Sequence, residues 1–500
     1  MVFLRLFLVV TFVFTAFGAA NSRPSFGDDE IAAAIARTGA RIHRETLRKA
    51  EAGDPAAQNR MGKNYHYGRG PFRKDEATAF RWWMKSAKQG YAEGQKSVSS
   101  AYLFGNGVKE DRSKWKYWLE KAAHGGLASA QESMGDHYSP DMLLPAKDAS
   151  FAKAIVWYKR AASQGKFIAQ YRLGVIYHQG DAGGKKPVDA FHWFKAASDK
   201  GYGPAMLMAG QMSASGTGTI QDFASAARYY SEALNQRSST PYYSAQASSQ
   251  AAYLLGMATL KGQGVTQDFG EGARLLARAG RGGVAAAKFY LAGLYADGRN
   301  IRQDPATAIK LYEEAFAAGI KDSAYYLGTL YERGAGIPTD YGKAAKWYRK
   351  AAADRISAAQ ARLGYLYHAG HGVSQDVTVA ATWYEQAATG GDVSAQVELG
   401  RLYFSGHGVD KNFQIAAKWL GMAADQGVPY AQGHIGSMYA NGQGVPQDFK
   451  QAFKWFSLAA AANNAGSVTD RDSVAKKMTP SQVAEAQEMV AKWTRSKSQK

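Results

Sequence analysis

The sequence predicts an all-α protein, a right-handed α-solenoid of tandem antiparallel helix hairpins with a period of about 36 residues. Two series of residues keep this period, and glycine turns alternate with helix-capping residues between them. The first series is mostly aromatic and consists of Trp82, Trp118, Trp157, Trp193, Tyr229, Leu275, Leu311, Trp347, Trp383, Trp419 and Trp455. The second series is small and consists of Gly62, Ser99, Gly135, Gly174, Gly210, Gly256, Ala292, Gly328, Gly364, Gly400 and Gly436. The two series predict eleven units with one plan.

The first helix of each unit, which we call helix A, is built around the small residue. In the ninth unit Ala359, Leu363 and Tyr367 have the spacing that gives a helix one apolar stripe. The helix then reaches a Gly-x-Gly turn, here Gly370 to Gly372. Glycine adopts the left-handed backbone angles that end a helix at little cost. Helix A is therefore predicted to be amphipathic and to stop at a glycine.

The second helix, helix B, is predicted to begin seven residues before the aromatic position. The side chains found there accept a hydrogen bond from the first free N–H groups of a helix. They are Asp75, Asp111, Ser150, Asp222, Asp268, Asp304, Asp340, Asp376, Asn412 and Asp448, and the fourth unit has Lys186 instead. We expect the aromatic residue itself to fill the space between the helices, so that Trp383→Ala costs roughly 3–5 kcal/mol of stability.

The units resemble the Sel1-like repeat, a relative of the tetratricopeptide repeat. The shared pattern is A-Q-x-x-L-G-x-x-Y-x-x-G-x-G-V-x-x-D followed by A-x-x-W-Y-x-x-A-A-x-x-G, over residues 56–465. The third unit departs from it at residues 139–150, and the sixth has Leu275 in place of the tryptophan. The resemblance implies stacked hairpins, an extended concave surface formed by the A helices, and a protein-binding role.

The segments outside the repeats are predicted to be a leader and two caps. Residues 1–20 combine Arg5, an apolar run and a small-residue end at Ala20, which is typical of a cleaved signal peptide, with an uncleaved inner-membrane anchor as the alternative. A linker and capping helix are expected over 21–55, and a capping helix with a basic tail over 466–500. Residues 235–245 are an insertion, either a loop on the binding side or a hinge between two half-arrays.

The composition limits the chemistry of the protein and the kind of partner. The chain has no cysteine, which excludes disulfide bonds and thiolate metal sites. Its formal net charge is +19. For an exported protein this favours an anionic lipid, an acidic polysaccharide or an acidic protein as partner, and nucleic acid is not expected. Lysines and arginines that simply coat exposed helix faces would give the same charge.

The recurring polar residues predict structure rather than catalysis. An active site needs one constellation at one place, whereas the capping residues recur at successive helix starts. His371 and His407 share a turn position in adjacent units and could approach each other, yet no third ligand accompanies them. We therefore expect no catalytic, metal-binding or cofactor-binding residues. Glutamines such as Gln360 and Gln396 recur in the motif and are expected to hydrogen-bond between units.

Partner binding is predicted on the outward side of helix A. Positions one and four beyond the small residue point away from the apolar stripe. In the ninth and tenth units these residues are Tyr365, His368, Arg401 and Phe404. Aromatic and cationic side chains of this kind often anchor protein interfaces.

The leading functional hypothesis is a non-catalytic scaffold for protein–protein interaction in the bacterial envelope, periplasmic or secreted. The resemblance implies envelope signalling or the regulation of surface polysaccharide as its setting. One alternative is direct binding of an anionic glycan or lipid. Another is an enzyme, since cysteine-rich secreted members of the family are linked to β-lactam hydrolysis, but this chain has no cysteine.

The leader pattern generates the first testable prediction. The mature protein should begin near Asn21, because cleavage is expected after the small residues that end at Ala20. N-terminal sequencing of the protein purified from its native host measures this directly. An intact Met1 in the membrane fraction would show an uncleaved anchor instead.

Overall fold

The computed structural model describes residues 28–142, 149–181, 183–235, 241–462 and 465–498. These residues form 25 α-helices and contain no β-strand. The all-α class and the tandem helix-hairpin architecture are thereby confirmed. The predicted signal peptide, residues 1–20, lies outside the described residues. Among the described helices, none combines the length and the apolar character needed to cross a membrane.

The helices alternate between A and B along eleven repeats, with one helix before them and two after. The first helix is α1 (Asp28–Glu51). The A helices are α2 (Pro55–Tyr67), α4 (Ala92–Phe104), α6 (Ala128–Tyr138), α8 (Phe167–Gln179), α10 (Gly203–Ser215), α12 (Pro241–Lys261), α14 (Ala285–Asp297), α16 (Asp322–Arg333), α18 (Ser357–Ala369), α20 (Val393–Ser405) and α22 (Pro429–Asn441). The B helices are α3 (Glu76–Lys88), α5 (Arg112–His124), α7 (Phe151–Ser163), α9 (Pro187–Ser198), α11 (Phe223–Asn235), α13 (Phe269–Arg281), α15 (Pro305–Ala317), α17 (Tyr341–Ala353), α19 (Val377–Thr389), α21 (Phe413–Asp425) and α23 (Phe449–Ala461). The last two are α24 (Ala465–Ala475) and α25 (Pro480–Ser498).

The chain divides into two compact units. The first holds the described residues up to Ala205 together with 217–219, and the second holds Met206–Gly216 and the described residues from Ile220 onward. Within the first unit each helix from α1 to α9 packs against the next one along the chain. Within the second unit the same is true from α11 to α24, and α25 packs on α23. Each unit is therefore held together by contacts between neighbouring elements, as expected for repeats.

The insertion at residues 235–245 lies inside the second unit and does not separate the two units. Its residues 241–245 are helical and begin α12, which has 21 residues whereas most A helices have 13. Residues 236–240 lie outside the described residues. The described part of the insertion is therefore mostly an extension of a helix rather than a loop.

The helix ends agree closely with the sequence prediction. Each of the ten predicted capping side chains accepts a hydrogen bond from a backbone N–H of the first turn of its B helix. Asp376 Oδ1, for example, lies 2.9 Å from Val379 N. Lys186 provides no such bond to α9. Since these bonds satisfy groups that the helix cannot satisfy itself, they fix where each B helix begins.

One position of helix B is deeply buried in all eleven repeats. It directly follows the aromatic series, and every member of this second position is at most 5% exposed. These residues are Trp83, Leu119, Tyr158, Phe194, Tyr230, Leu276, Tyr312, Tyr348, Tyr384, Leu420 and Phe456. Burial in the aromatic series itself varies, since Trp347 and Trp383 are only half-buried. The members that are at most 8% exposed are Trp157, Tyr229, Leu275, Trp419 and Trp455. Trp383 packs against the core cluster around Tyr348 while remaining half-buried, and Tyr384, which is 3% exposed, holds the centre of its hairpin.

The small residue of helix A is explained by this buried ring. A Cβ atom added to Gly364 would lie 2.8 Å from Cδ1 of Tyr384, which is closer than carbon atoms approach without displacement. Equivalent ring contacts occur at Gly135 with Tyr158 and at Gly328 with Tyr348. Helix A and helix B thus approach each other closely because glycine leaves room for the ring.

Two further contacts join successive repeats. Gln396 Nε2 donates to the carbonyl of Ala388 in the preceding B helix at 3.3 Å, and Gln396 Oε1 accepts from Gln426 Nε2 at 2.9 Å. The prediction that the recurring glutamines bridge units is confirmed. In addition, the second glycine of the turn, Gly372 with φ 67°, lies against the backbone of Tyr341 at the start of the previous B helix, where any Cβ would overlap it.

The buried position of Tyr384 yields a stability prediction. Tyr384→Ala should cost roughly 3–5 kcal/mol because it empties the centre of a hairpin. Trp383→Ala should cost less because that side chain is only half-buried, and Asp376→Ala should cost about 1 kcal/mol through the lost cap. Urea unfolding ranks the three variants. Hydrogen exchange should show the loss of protection first near residues 350–430, since repeats couple mainly to their neighbours. A larger loss for Trp383→Ala than for Tyr384→Ala would contradict this assignment.

Candidate protein-interaction surface

The four residues predicted to bind a partner lie on two A helices of the second unit, α18 and α20. Each helix ends at a glycine in the left-handed conformation, Gly370 with φ 73° and Gly406 with φ 76°. The apolar side of each helix is held by deeply buried residues, Leu363 in α18 and Leu399 in α20. Because the end and the buried side of each helix are fixed, the residues on its opposite side also have a fixed orientation.

Tyr365 has an exposed ring that packs against Arg362, and Arg362 is paired with the buried carboxylate of Glu332. Its side chain is 40% exposed, and the guanidinium carbon of Arg362 lies 4.8 Å from the ring centre. Arg362 in turn forms an ion pair with Glu332 of the preceding A helix, whose side chain is only 8% exposed. The hydroxyl of Tyr348 also donates to Glu332, at 2.6 Å. A buried carboxylate with two partners restricts Arg362, which then provides a fixed support for the ring.

His368 is partly buried and lies near the next repeat. Its ring centre is 6.0 Å from that of His407 and 6.4 Å from that of Tyr384. Burial lowers the pKa of His368, and the positive charge of Arg401 lowers it further. The neutral imidazole is therefore the favoured form at neutral pH. The structure pairs His407 with His368, whereas His371 contacts the rings of Tyr341 and Tyr365.

Arg401 and Phe404 occupy the corresponding places on α20. Arg401 forms an ion pair with Glu398 of the same helix at 2.8 Å, and its side chain is 41% exposed. Phe404 is half-buried, with its ring centre 5.3 Å from that of Phe413 and 6.1 Å from that of His434. The four predicted residues therefore comprise two partly exposed groups, Tyr365 and Arg401, and two groups that pack into the repeat boundary.

A row of aromatic side chains on earlier A helices was not predicted. The ring centres of Tyr253 and Tyr290 are 6.2 Å apart, and those of Phe289 and Tyr326 are 5.3 Å apart. Tyr290 and Tyr326 are each 43% exposed. Both lie two positions before the small residue of their helix, whereas Tyr365 lies one position after it. The two positions are three residues apart and therefore lie on the same side of a helix. The helical spacing contained this signal, but the prediction used only positions after the small residue.

The first unit carries a different, polar cluster on its A helices. Lys96 Nζ donates to Ser133 Oγ at 2.6 Å, and the hydroxyl of Tyr158 donates to Asp136 at 2.8 Å. Burial lowers the pKa of Lys96 and raises the pKa of Glu132 and of Asp136. Partly buried polar groups of this kind fix neighbouring helices relative to each other, and they were not singled out from the sequence.

No catalytic constellation emerges from the described part of the chain. No group of three or more histidine and acidic residues there could hold a metal ion. Serine and lysine do occur at the S-x-x-K spacing of some β-lactam-active enzymes, starting at Ser113, Ser150, Ser163 and Ser473. Ser150 Oγ caps α7, and Ser163 Oγ donates to the carbonyl of Arg160 at 2.8 Å. These two hydroxyls therefore serve helix ends.

Tandem helix hairpins that expose aromatic and cationic groups on their A helices define a class, the helical-repeat interaction proteins. The particular family follows from a family model, the Sel1 repeat, which matches residues 55–91, 92–127, 128–166, 168–202, 203–238, 249–284, 285–320, 321–354, 357–392, 393–428 and 429–464. The chain belongs to the Sel1 repeat family. Sel1 repeat proteins are protein-interaction scaffolds.

Relatives support the same assignment. The crystal structure of a protective antigen present in uropathogenic Escherichia coli strains, which displays an SLR fold, is 30% identical, covers 91% of this chain and 94% of its own, and has a TM-score of 0.70. An uncharacterized protein of Neisseria meningitidis serogroup B is 28% identical over 39% of this chain and 39% of its own length. Chitin synthase regulatory factor 3 of Schizosaccharomyces pombe is 32% identical over 24% of this chain. The chain spans 39% of the Neisseria protein and only 13% of the yeast regulator.

The environment of His368 yields a titration prediction. Arg401→Gln should raise the pKa of His368, because the variant removes a positive charge that disfavours the imidazolium, although burial should still hold the pKa below its usual value. NMR titration of the imidazole Cε1–H signals measures the shift. His434 is the internal control, since burial alone lowers its pKa. Equal shifts of both histidines, or no shift of His368, would refute the proximity of Arg401.

Proposed function

We propose that the chain is a non-catalytic scaffold for protein–protein interaction in the bacterial envelope, and that a partner protein binds the A-helix side around Tyr365 and Arg401. The observation that carries the proposal is the exposed ring of Tyr365 supported by Arg362, whose position is fixed by the buried Glu332. Arginine and tyrosine, together with tryptophan, are enriched among the residues that contribute most binding energy at protein interfaces.

Preorganisation of these groups supports binding in this region. An interface loses about 0.5–1.5 kcal/mol for each flexible side chain that it must immobilise. Arg362 is already restrained by its ion pair with Glu332, and Arg401 by its ion pair with Glu398. Neighbouring A helices extend the aromatic character through Tyr326 and Tyr290. A partner that spans several repeats would thus meet side chains that are already in place.

The leader pattern of residues 1–20 supports a location in the envelope. The related Escherichia coli protein with the SLR fold is a protective antigen present in uropathogenic strains. A role in the regulation of surface polysaccharide is supported by the likeness to a chitin synthase regulatory factor, over a limited part of the chain.

Direct binding of an anionic glycan or lipid is the second candidate, and the net charge of the chain favours it. The two candidates differ in their response to salt. Binding by exposed cations weakens steeply between low and physiological ionic strength, whereas a desolvated aromatic interface weakens much less. Sedimentation with anionic vesicles over a series of salt concentrations therefore separates the two.

The proposed surface yields a binding prediction. A photo-crosslinking amino acid placed at Tyr365 in the native host should give a discrete adduct with one protein. The double variant Tyr365→Ala and Arg401→Ala should weaken binding of that protein at least tenfold, about 1.4 kcal/mol. Isothermal titration with the purified partner measures the loss, and circular dichroism should show unchanged helix content.

A matched control is available on a B helix of the first unit. Tyr117 is 51% exposed, and Lys121 Nζ lies 5.0 Å from its ring centre, so this pair resembles the pair of Tyr365 with Arg362. The double variant Tyr117→Ala and Lys121→Ala should leave binding unchanged. Loss of binding in the control, with retention in the Tyr365 and Arg401 variant, would place the partner elsewhere.

A further inference from the structure

Two repeats lack a side chain that the other nine share. The third position after the small residue of helix A is a tyrosine in nine of the eleven repeats. These tyrosines are Tyr65, Tyr102, Tyr138, Tyr177, Tyr295, Tyr331, Tyr367, Tyr403 and Tyr439. The two exceptions are Ser213 in the fifth repeat and Thr259 in the sixth. The sixth repeat also has Leu275 at the position that is most often tryptophan.

In the regular repeats this tyrosine covers the B helix of the preceding repeat. Its ring contacts the side chain that lies two residues before, or two residues after, the aromatic-series residue of that B helix. The ring centre of Tyr102 is 5.4 Å from that of Phe80, and Lys116 Nζ is 5.4 Å from the ring centre of Tyr138. Arg349 Nη2 donates to the hydroxyl of Tyr367 at 2.9 Å. The phenol ring is thus a regular part of the boundary between two repeats.

At the sixth repeat the same place is an open pocket of about 570 Å³. Thr259 is too short to reach the preceding B helix, and its hydroxyl donates to the carbonyl of Leu255 at 2.8 Å. The pocket is lined by Ala227 and Ser231 of α11, which hold the positions two before and two after Tyr229. These positions correspond to those that contact the tyrosine in other repeats. The pocket therefore lies against the two positions that the tyrosine contacts in regular repeats.

The walls of this pocket fit a flat aromatic group better than a cation. Ala227, Leu255 and Leu275 give it apolar walls, and Arg228, whose guanidinium carbon lies 5.4 Å from the ring centre of Tyr229, also lines it. At its edge, Glu271 is bound by Arg274 through two hydrogen bonds of 2.6 Å, and this pairing holds the pKa of Glu271 below its usual value. Asp268 Oδ1 accepts from the backbone N–H of Glu271 at 2.9 Å. The carboxylates are committed to the protein itself, and the volume lies within the roughly 300–1,000 Å³ of ordinary ligand pockets.

We propose that this pocket, formed by α11, α12 and α13, binds an aromatic side chain of a partner protein, with tyrosine as the preferred residue. The proposal rests on the proposed scaffold function and adds one anchor point to it. The partner's ring would take the place that the chain's own tyrosine takes in nine other repeats. Ser231 lines the pocket at the position that corresponds to Arg349, which contacts the hydroxyl of Tyr367, and we expect its hydroxyl to pair with the phenol oxygen. Aromatic anchors in preformed pockets are a common basis of affinity at protein interfaces.

The first test uses the full-length protein and p-cresol, which reproduces the tyrosine side chain. We expect p-cresol to bind with a Kd of about 1 mM, as is usual for so small a ligand, and to shift the methyl NMR signals of Thr259, Leu275 and Ala227. The non-aromatic 4-methylcyclohexanol should bind at least tenfold more weakly. Ser231→Ala should reduce the preference for p-cresol over toluene. Equal binding of p-cresol and 4-methylcyclohexanol would overturn the proposal.

Thr259→Tyr restores the residue of the regular repeats and should fill the pocket. The variant should raise the melting temperature and abolish p-cresol binding, whereas the matched control Thr329→Tyr, on a different A helix, should leave p-cresol binding intact. Should Thr259→Tyr fail to fold, Ala227→Leu blocks the same pocket from the other wall. Undiminished p-cresol binding in a folded, pocket-filled variant would place the site elsewhere.

A displayed random-peptide library provides the test at the level of a protein ligand. Peptides selected on the wild-type chain and depleted on Thr259→Tyr should carry tyrosine or phenylalanine at one fixed position. Peptides without such a residue would overturn the pocket as a partner site. The p-cresol measurement requires no partner, so its failure leaves the proposed scaffold function untouched. Conversely, failure of the Tyr365 and Arg401 variant to weaken capture leaves the pocket measurement valid.

Discussion

The close approach of helix A and helix B inside each hairpin is the constraint on which the rest of the structure depends. A ring or leucine from helix B lies directly on the small residue of helix A, as Tyr384 lies on Gly364. This contact brings the two helices close enough for alanines such as Ala387 to be completely buried between them. Because the same contact recurs in the nine repeats that have glycine at this position, both compact units are built from the same local packing. Each repeat then needs only its neighbours for support.

Successive repeats are joined by hydrogen bonds as well as by apolar contacts. Gln396 connects the end of one B helix to the next hairpin through hydrogen bonds on both sides of its amide, and it is 1% exposed. A buried amide that is left without partners costs about 1–3 kcal/mol, so a shifted stacking register is disfavoured. The turn glycine Gly372, packed on the backbone of Tyr341, imposes a similar condition by steric exclusion. Register is thus determined by polar satisfaction and close packing together.

A regular array makes its irregular positions informative. Where most repeats have the same residue at one position, a smaller residue there leaves a pocket while the fold is kept, as at Thr259 and Leu275. Where the architecture needs nothing, the side chain is free to vary, as with Tyr365, Arg401 and Tyr326 on the outer side of the A helices. The first unit uses this freedom for polar groups such as Lys96 and Asp136, and the second for aromatic rings. The two kinds of variation lead separately to the proposed surface and to the proposed pocket.

The sequence by itself determined the repeat period, the helix starts and ends, and the family, because capping residues, turn glycines and helical spacing act within a few residues of each other. Asp376 and Gly370 were correctly assigned for that reason. Only the tertiary structure decided between Trp383 and Tyr384, since adjacent residues on a helix differ by about 100° and both border the apolar stripe. Contact with helix A selects one of them. The support of Tyr365 by Arg362 and Glu332, and the pocket at Thr259, were likewise decided by groups from different repeats, whose proximity depends on how the hairpins stack.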